Sequence, residues 1–301
     1  MSDLQQRLEE GEVVILDGAT GTELERRGAP MDDATWDAAA LATHPDMVRE
    51  VHEDYIRAGT DVIITNTFAT ARHVLEPAGM GGQFRELNIR AVTLAKEARE
   101  NAAERPVFIA GSISTMSAHN DHSYEPRTEV ARANYREQAD VLAESGVDVI
   151  ALEMMRDLEQ TTHAVEAAVA MGLPVWVGFS CKTTDEGTVV LYDGDHTLAE
   201  ALEHIPPLGA SLVSIMHTLT EDTPAALHEV SERWSGPVGA YPHSGGFVMP
   251  NWQFIDMIIP EDFATQAQGW LETGVQLIGG CCGIGPEHIR LLKERLPKRS
   301  P

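Results

Sequence analysis

Eight short apolar runs, rich in β-branched residues, recur along the chain: Val13–Leu16, Asp61–Thr65, Pro106–Gly111, Val147–Glu153, Pro174–Ser180, Ser211–Met216, Pro237–Tyr241 and Val275–Gly280. Each is continuous rather than alternating, the pattern of parallel strands buried on both faces. Segments with helical spacing lie between them. From Pro45 to Ala58, Val48, Val51, Tyr55 and Ile56 repeat at intervals of three and four, with proline at the start and Gly59 just past the end. Glu129–Ser145 and Leu158–Met171 read the same way and stop at Gly146 and Gly172. Further helices are predicted over His196–His204, Thr223–Trp234, Pro260–Thr273 and Pro286–Leu296. The phrases AGTDVII, ESGVDVI, MGLPVWV and ETGVQLI repeat one joint, in which a helix ends, a glycine caps it and a buried strand begins.

Eight strand-then-helix units in 301 residues predict a (β/α)8 TIM barrel forming one domain over 1–301, with its core at about 10–296. A doubly wound open sheet has the same alternation, but no GxGxxG follows the first run, which argues against its dinucleotide-binding form. In both folds the chemistry belongs at the carboxyl ends of the strands.

Charge narrows the partners. The chain carries 47 acidic and 22 basic side chains, a net −25. Such a surface repels phosphate backbones and anionic lipid, so neither nucleic acid nor a membrane is expected as partner. No stretch is long and apolar enough to span a bilayer, and the start MSDLQQRLEEGE lacks the basic and apolar parts of a signal peptide; a cytoplasmic location is expected. Three cysteines make no disulfide framework, and two are neighbours in sequence, which points toward metal binding or catalysis in a reducing compartment.

Polar residues concentrate where the runs end. The first run ends in Asp17-Gly18-Ala19-Thr20-Gly21-Thr22, glycines for a tight turn beside polar contacts for a small ligand. After the second comes Thr65-Asn66-Thr67, offering neutral donors and acceptors, with Asn66 a candidate substrate contact. Glu153 closes the apolar fourth run and needs a compensating partner; with Asp17 it forms a candidate cradle for an ammonium group. The eighth run ends in Gly279-Gly280-Cys281-Cys282-Gly283. Two thiolates suit Zn²⁺, and a catalytic zinc site takes three protein ligands and keeps one position open. His217, at the end of the sixth run, is the foremost candidate third ligand; Cys181 and His243, near the ends of the fifth and seventh, are rivals.

DGATGTELERRG, TNTFAT, LEMM, YPHSG and GGCCGIGPEHI, in this order over residues 10–296, resemble the homocysteine S-methyltransferase family. The resemblance implies a zinc-dependent barrel that passes a methyl group to the sulfur of homocysteine, giving methionine. It places zinc on Cys281 and Cys282, and the homocysteine ammonium on Asp17 and Glu153, with the backbone at Gly18 and Ala19 close by. The family's third zinc ligand is a cysteine, and the matching position here is His217; where the family commonly has asparagine before serine-glycine, this chain has His243.

A donor with a sulfonium or quaternary ammonium centre gives a neutral leaving group; the resemblance implies S-methylmethionine and S-adenosylmethionine as donors, with betaine after them, and Trp36 or another loop aromatic as the cation's cage. The exchange of thiolate for imidazole at His217 keeps other readings open: demethylation of an onium compound, a different thiol, a separate corrinoid protein as partner, or a non-catalytic barrel that binds a metal or ligand. The acidic loop His119-Asn120-Asp121-His122 reads as a lid over the mouth.

Overall fold

Among the described residues, twelve strands run in chain order as β1 (Val14–Ile15), β2 (Val62–Ile64), β3 (Phe108–Ser114), β4 (Val149–Met155), β5 (Val175–Phe179), β6 (Cys181–Thr183), β7 (Val189–Leu191), β8 (Leu212–Leu219), β9 (Val238–His243), β10 (Gly246–Val248), β11 (Gln253–Ile255) and β12 (Leu277–Ile278). They come from a computed structural model that describes residues 3–248 and 253–296; the outermost residues of the predicted 1–301 domain fall outside this range. Eight strands form one parallel sheet in the order β1-β12-β9-β8-β5-β4-β3-β2. A parallel bridge between Leu16 and Val62 joins β1 to β2 and closes the barrel, as the eight apolar runs predict. The remaining strands make two antiparallel hairpins, β6 with β7 and β10 with β11, which the run pattern does not anticipate.

The helix Pro45–Ala58 has the predicted limits, and Gly59 caps it at φ +114°. Most other predicted helices are matched to within two residues at each end. The largest omission is Phe84–Ala102, which buries Leu87, Ala91, Val92, Leu94 and Ala95 yet ends without the glycine that marks its counterparts. Its sequence therefore lacks the punctuation by which the other helices are recognised. No described helix is long and apolar enough to cross a membrane.

Two irregularities in the barrel aim polar side chains at its mouth. The β4–β5 register shifts between Leu152 and Met155, and the β8–β9 register shifts between Met216 and Leu219. Bulges of this kind turn a side chain out of the ladder and toward a new target. The first contains Glu153 and the second His217.

Candidate metal and substrate site

A cavity of about 360 Å³ opens where the strands end, walled by Gly18, Asn66, Glu153, His217, Cys281 and Cys282 among others. Six described non-glycine residues have left-handed backbone, and four of them, Trp36 (φ +48°), Asn120 (φ +49°), Met154 (φ +53°) and His217 (φ +43°), line this cavity. Such conformations cost energy unless the surroundings impose them, and they gather at sites of function.

The cysteine pair is held from both sides. Cys281 N donates to Pro242 O at 2.8 Å, Ser244 N to Cys282 O at 3.0 Å, and Gly280 N to Asp17 O at 3.1 Å. Gly283 N reaches Thr22 Oγ1 at 3.3 Å, tying the cysteine turn to the first strand's loop. Tyr55 hydroxyl, which has one proton to give, stands 3.1 Å from both Ala19 O and Ile284 O. A Cβ on Gly18 would meet Ile284 O at 2.2 Å, so only glycine lets these loops approach. This is the physical content of the DGATG and GGCCG motifs: each makes room for the other.

His217 Nδ1 lies 3.6 Å from Cys281 Sγ, and the two Sγ atoms are 3.9 Å apart. All three donor atoms lie within 4.8 Å of one another. A tetrahedral ion with Zn–S of about 2.3 Å and Zn–N of about 2.0 Å has S···S and S···N edges of about 3.8 and 3.5 Å. The donor set therefore fits a metal of that size and softness. Without a cation, the Cys282 thiol, followed by burial, pushes the Cys281 thiol well up, while His217 pulls it down. Metal binding must displace that proton.

His243 and Cys181 take different places. His243 tilts at 36° against His217 with ring centroids 4.6 Å apart and lines the cavity, but its ring nitrogens are not part of the three-donor group. Burial, aided by His217, pushes its imidazole down to about 3, which keeps it neutral. Cys181 lies on the β6–β7 hairpin, is buried, and stands outside both the cavity wall and the donor group among the described residues. Its amide instead donates to Thr218 Oγ1 at 2.9 Å, and Ser180 Oγ donates to His217 O at 2.7 Å, so this segment supports the bulge that carries His217.

Carboxyls gather at the same cavity. Ser112 Oγ donates to Glu153 Oε2, and burial nevertheless pushes Glu153 up to about 7. Asp17 lies beside the cavity wall rather than in it: Oδ2 accepts from Ile64 N at 2.8 Å, and Oδ1 is buried with no hydrogen-bond partner among the described residues. Burial, then the Glu153 charge, push its carboxyl well up against the pull of the Ile64 amide. Sequence reasoning missed a third carboxyl. Asp37 is 2% exposed and lines the cavity; with its amide nitrogen turned toward it, Asn66 donates to Asp37 Oδ2 at 2.7 Å. Burial, with Glu153 adding to it, pushes Asp37 up to about 7. Nothing in TWDAA signals this, because the residue's burial comes from packing against the second strand's loop.

The shift at Asp37 has a measurable consequence. Its folded pKa exceeds the unfolded value, so the ligand-free fold loses stability as pH rises from about 4 to about 7, by an amount on the order of 4 kcal/mol in full. Asp37→Asn is therefore expected to raise the unfolding temperature of ligand-free protein at pH 8, with the gain shrinking toward pH 4. A gain equal at both pH values would show that Asp37 is not buried as a charge.

Aromatic rings line the same cavity. Trp36 meets Phe68 edge-on at 5.7 Å and lies 6.5 Å from Phe254, and Tyr192 and Tyr241 also line the cavity. Of the loop read as a lid, Asn120 reaches the cavity wall.

Comparison with known proteins finds relatives over nearly the whole chain. A family model described as homocysteine S-methyltransferase matches residues 14–296. A selenocysteine Se-methyltransferase of Brassica oleracea var. italica is 30% identical, over 97% of this chain and 91% of its own. The homocysteine S-methyltransferase YbgG of Bacillus subtilis is 30% identical, over 96% of both chains. The metallated crystal structure of the homocysteine methyltransferase MmuM from Escherichia coli aligns with a TM-score of 0.83 at 28% identity, covering 98% of this chain and 100% of that one.

Proposed function

Because the chain belongs to the homocysteine S-methyltransferase family, we propose that it moves a methyl group from an onium donor to the thiol sulfur of homocysteine, forming methionine, at a zinc site made by His217, Cys281 and Cys282. The observation that carries this reading is the triangle of donors, whose 3.6 and 3.9 Å edges match those of a tetrahedral ion. Held by these three residues, zinc would favour ionisation of the homocysteine thiol, whose unperturbed pKa near 8.5 leaves it mostly protonated at neutral pH.

The chain's own residues orient the reaction. Glu153, with Asp17 beside it, attracts the homocysteine ammonium and so fixes which way the acceptor's sulfur points. Gly18 and Ala19 bring backbone to the same wall, and Asn66 holds the carboxyl of Asp37 in place. The ring of Trp36 faces the cation of the donor, with Phe68 bracing it edge-on. As the sulfur–methyl bond forms, the donor's carbon–sulfur or carbon–nitrogen bond breaks and its electron pair stays on the leaving atom, which becomes neutral. The thiol proton has by then left for solvent. S-methylmethionine, S-adenosylmethionine and betaine all satisfy this balance.

The test pairs elemental analysis with a methyl-transfer assay. About one zinc per chain, together with methionine formed from homocysteine and S-methylmethionine, is the expected result. Absence of zinc after anaerobic reconstitution would overturn the metal assignment. Zinc without methionine across the three donors would overturn the acceptor, and the similarity to a selenocysteine Se-methyltransferase makes selenocysteine the next acceptor to assay.

A further inference from the structure

The carboxyls in and beside the cavity outnumber those the acceptor needs. Homocysteine brings one ammonium, and Glu153 with Asp17 supplies two carboxyls for it, each anchored to a strand by Ser112 or by Ile64 N. Asp37 is left over. It is buried, lines the cavity, and is aimed by Asn66 at 2.7 Å. No lysine or arginine stands among the described residues of the wall. A buried carboxylate without a cationic partner is expensive, so a cation is expected to arrive with a ligand.

The position of Asp37 next to Trp36 indicates which ligand. The left-handed backbone at Trp36, φ +48°, lets the indole and the following carboxyl line the same cavity from successive positions. The indole suits the reacting onium centre. A carboxylate held against that centre would stabilise the positive charge that the reaction removes, and would slow transfer. The same carboxylate placed against a second cation, remote from the reacting carbon, strengthens binding without that penalty.

We propose that Asp37 is a specificity-determining residue that recognises a free ammonium on the methyl donor, so that the cavity selects sulfonium amino acids over onium donors whose only other charged group is a carboxylate. The assignment rests on the methyl-transfer reading for the identity of the ligand as donor, but its test does not require turnover. Binding is measured by calorimetry on the zinc-loaded protein and on Asp37→Asn, using three probes: S-methylmethionine, its analogue lacking the amino group, and homocysteine.

Wild-type protein is expected to bind S-methylmethionine about tenfold or more tightly than the analogue, as loss of one buried charge-paired contact implies. In Asp37→Asn that gap should close to within about threefold, while homocysteine affinity and zinc content stay as in wild type. A gap that survives the substitution overturns the proposal. So does a variant that weakens homocysteine instead, since Asp37 would then belong to the acceptor's ammonium. Should the asparagine variant fail to fold, Asp37→Ser removes the same charge with less bulk. A wild-type protein that shows the binding gap but makes no methionine would retire the homocysteine reading and leave Asp37's role intact.

Discussion

Changing both Cys281 and Cys282 to serine is expected to abolish metal retention and to lower methyl transfer by roughly 10³-fold or more, while the barrel stays folded. Serine keeps the shape of the side chain but offers a hard, protonated oxygen where a soft metal needs thiolate. Activation of the thiol by a Lewis acid supplies several kcal/mol, and about 4 kcal/mol corresponds to a 10³-fold rate. The fold should tolerate the change because the turn is held by backbone bonds, Cys281 N to Pro242 O and Ser244 N to Cys282 O, which the substitution leaves in place. Metal analysis, circular dichroism and the methyl-transfer assay on one preparation give the answer. A folded double variant that keeps zinc and turnover would remove the thiols from the mechanism altogether.

The second large effect is expected at His217. A structural zinc site stabilises by roughly 10–16 kcal/mol over four ligands, so one ligand accounts for about 3 kcal/mol, or about 10²-fold in affinity. His217→Ala should weaken zinc by that order in a chelator competition and reduce turnover with it. His217→Cys, which returns the ligand that the resemblance implies for the family, should hold the metal at least as well as wild type. His243 makes the experiment sharper. Its ring centre lies 4.6 Å from that of His217, so if His217→Ala keeps its metal, the double variant with His243→Ala must lose it. Retention in that double variant would mean that no imidazole serves the site.

Asp37 links these effects to selectivity. The proposed metal ligands, two thiols and one imidazole, leave the choice of donor to a different group, a carboxyl that lines the same cavity. Its carboxyl is costly in the ligand-free fold, where burial raises its pKa to about 7. A destabilising group kept inside a binding cavity is the usual trade between stability and function.

Several of these features are legible in the chain alone. The eight barrel strands are, because a strand buried on both faces must be apolar at every position, and that constraint is written locally. So is the cysteine pair, because two thiols among glycines make a poor packing element and a good ligand pair. The helix Phe84–Ala102 is not, for want of a cap, and neither hairpin is, because short strands at the barrel rim lack a continuous apolar run.

The order of residues thus dictates the barrel, the ends of its strands, and the candidates His217, Cys281, Cys282, Asp17 and Glu153. Folding in three dimensions was needed to separate His217 from its rivals. The bulge in β8 holds His217 Nδ1 3.6 Å from Cys281 Sγ, whereas Cys181 continues into a hairpin and His243 tilts against His217 outside the donor group. Asp37 emerges only from the fold as well, since Asn66, which meets its carboxyl, lies 29 residues away in the chain. Strand formation is decided by neighbours in sequence. Ligand geometry and buried charge are decided by neighbours in space, which exist only once the barrel has closed.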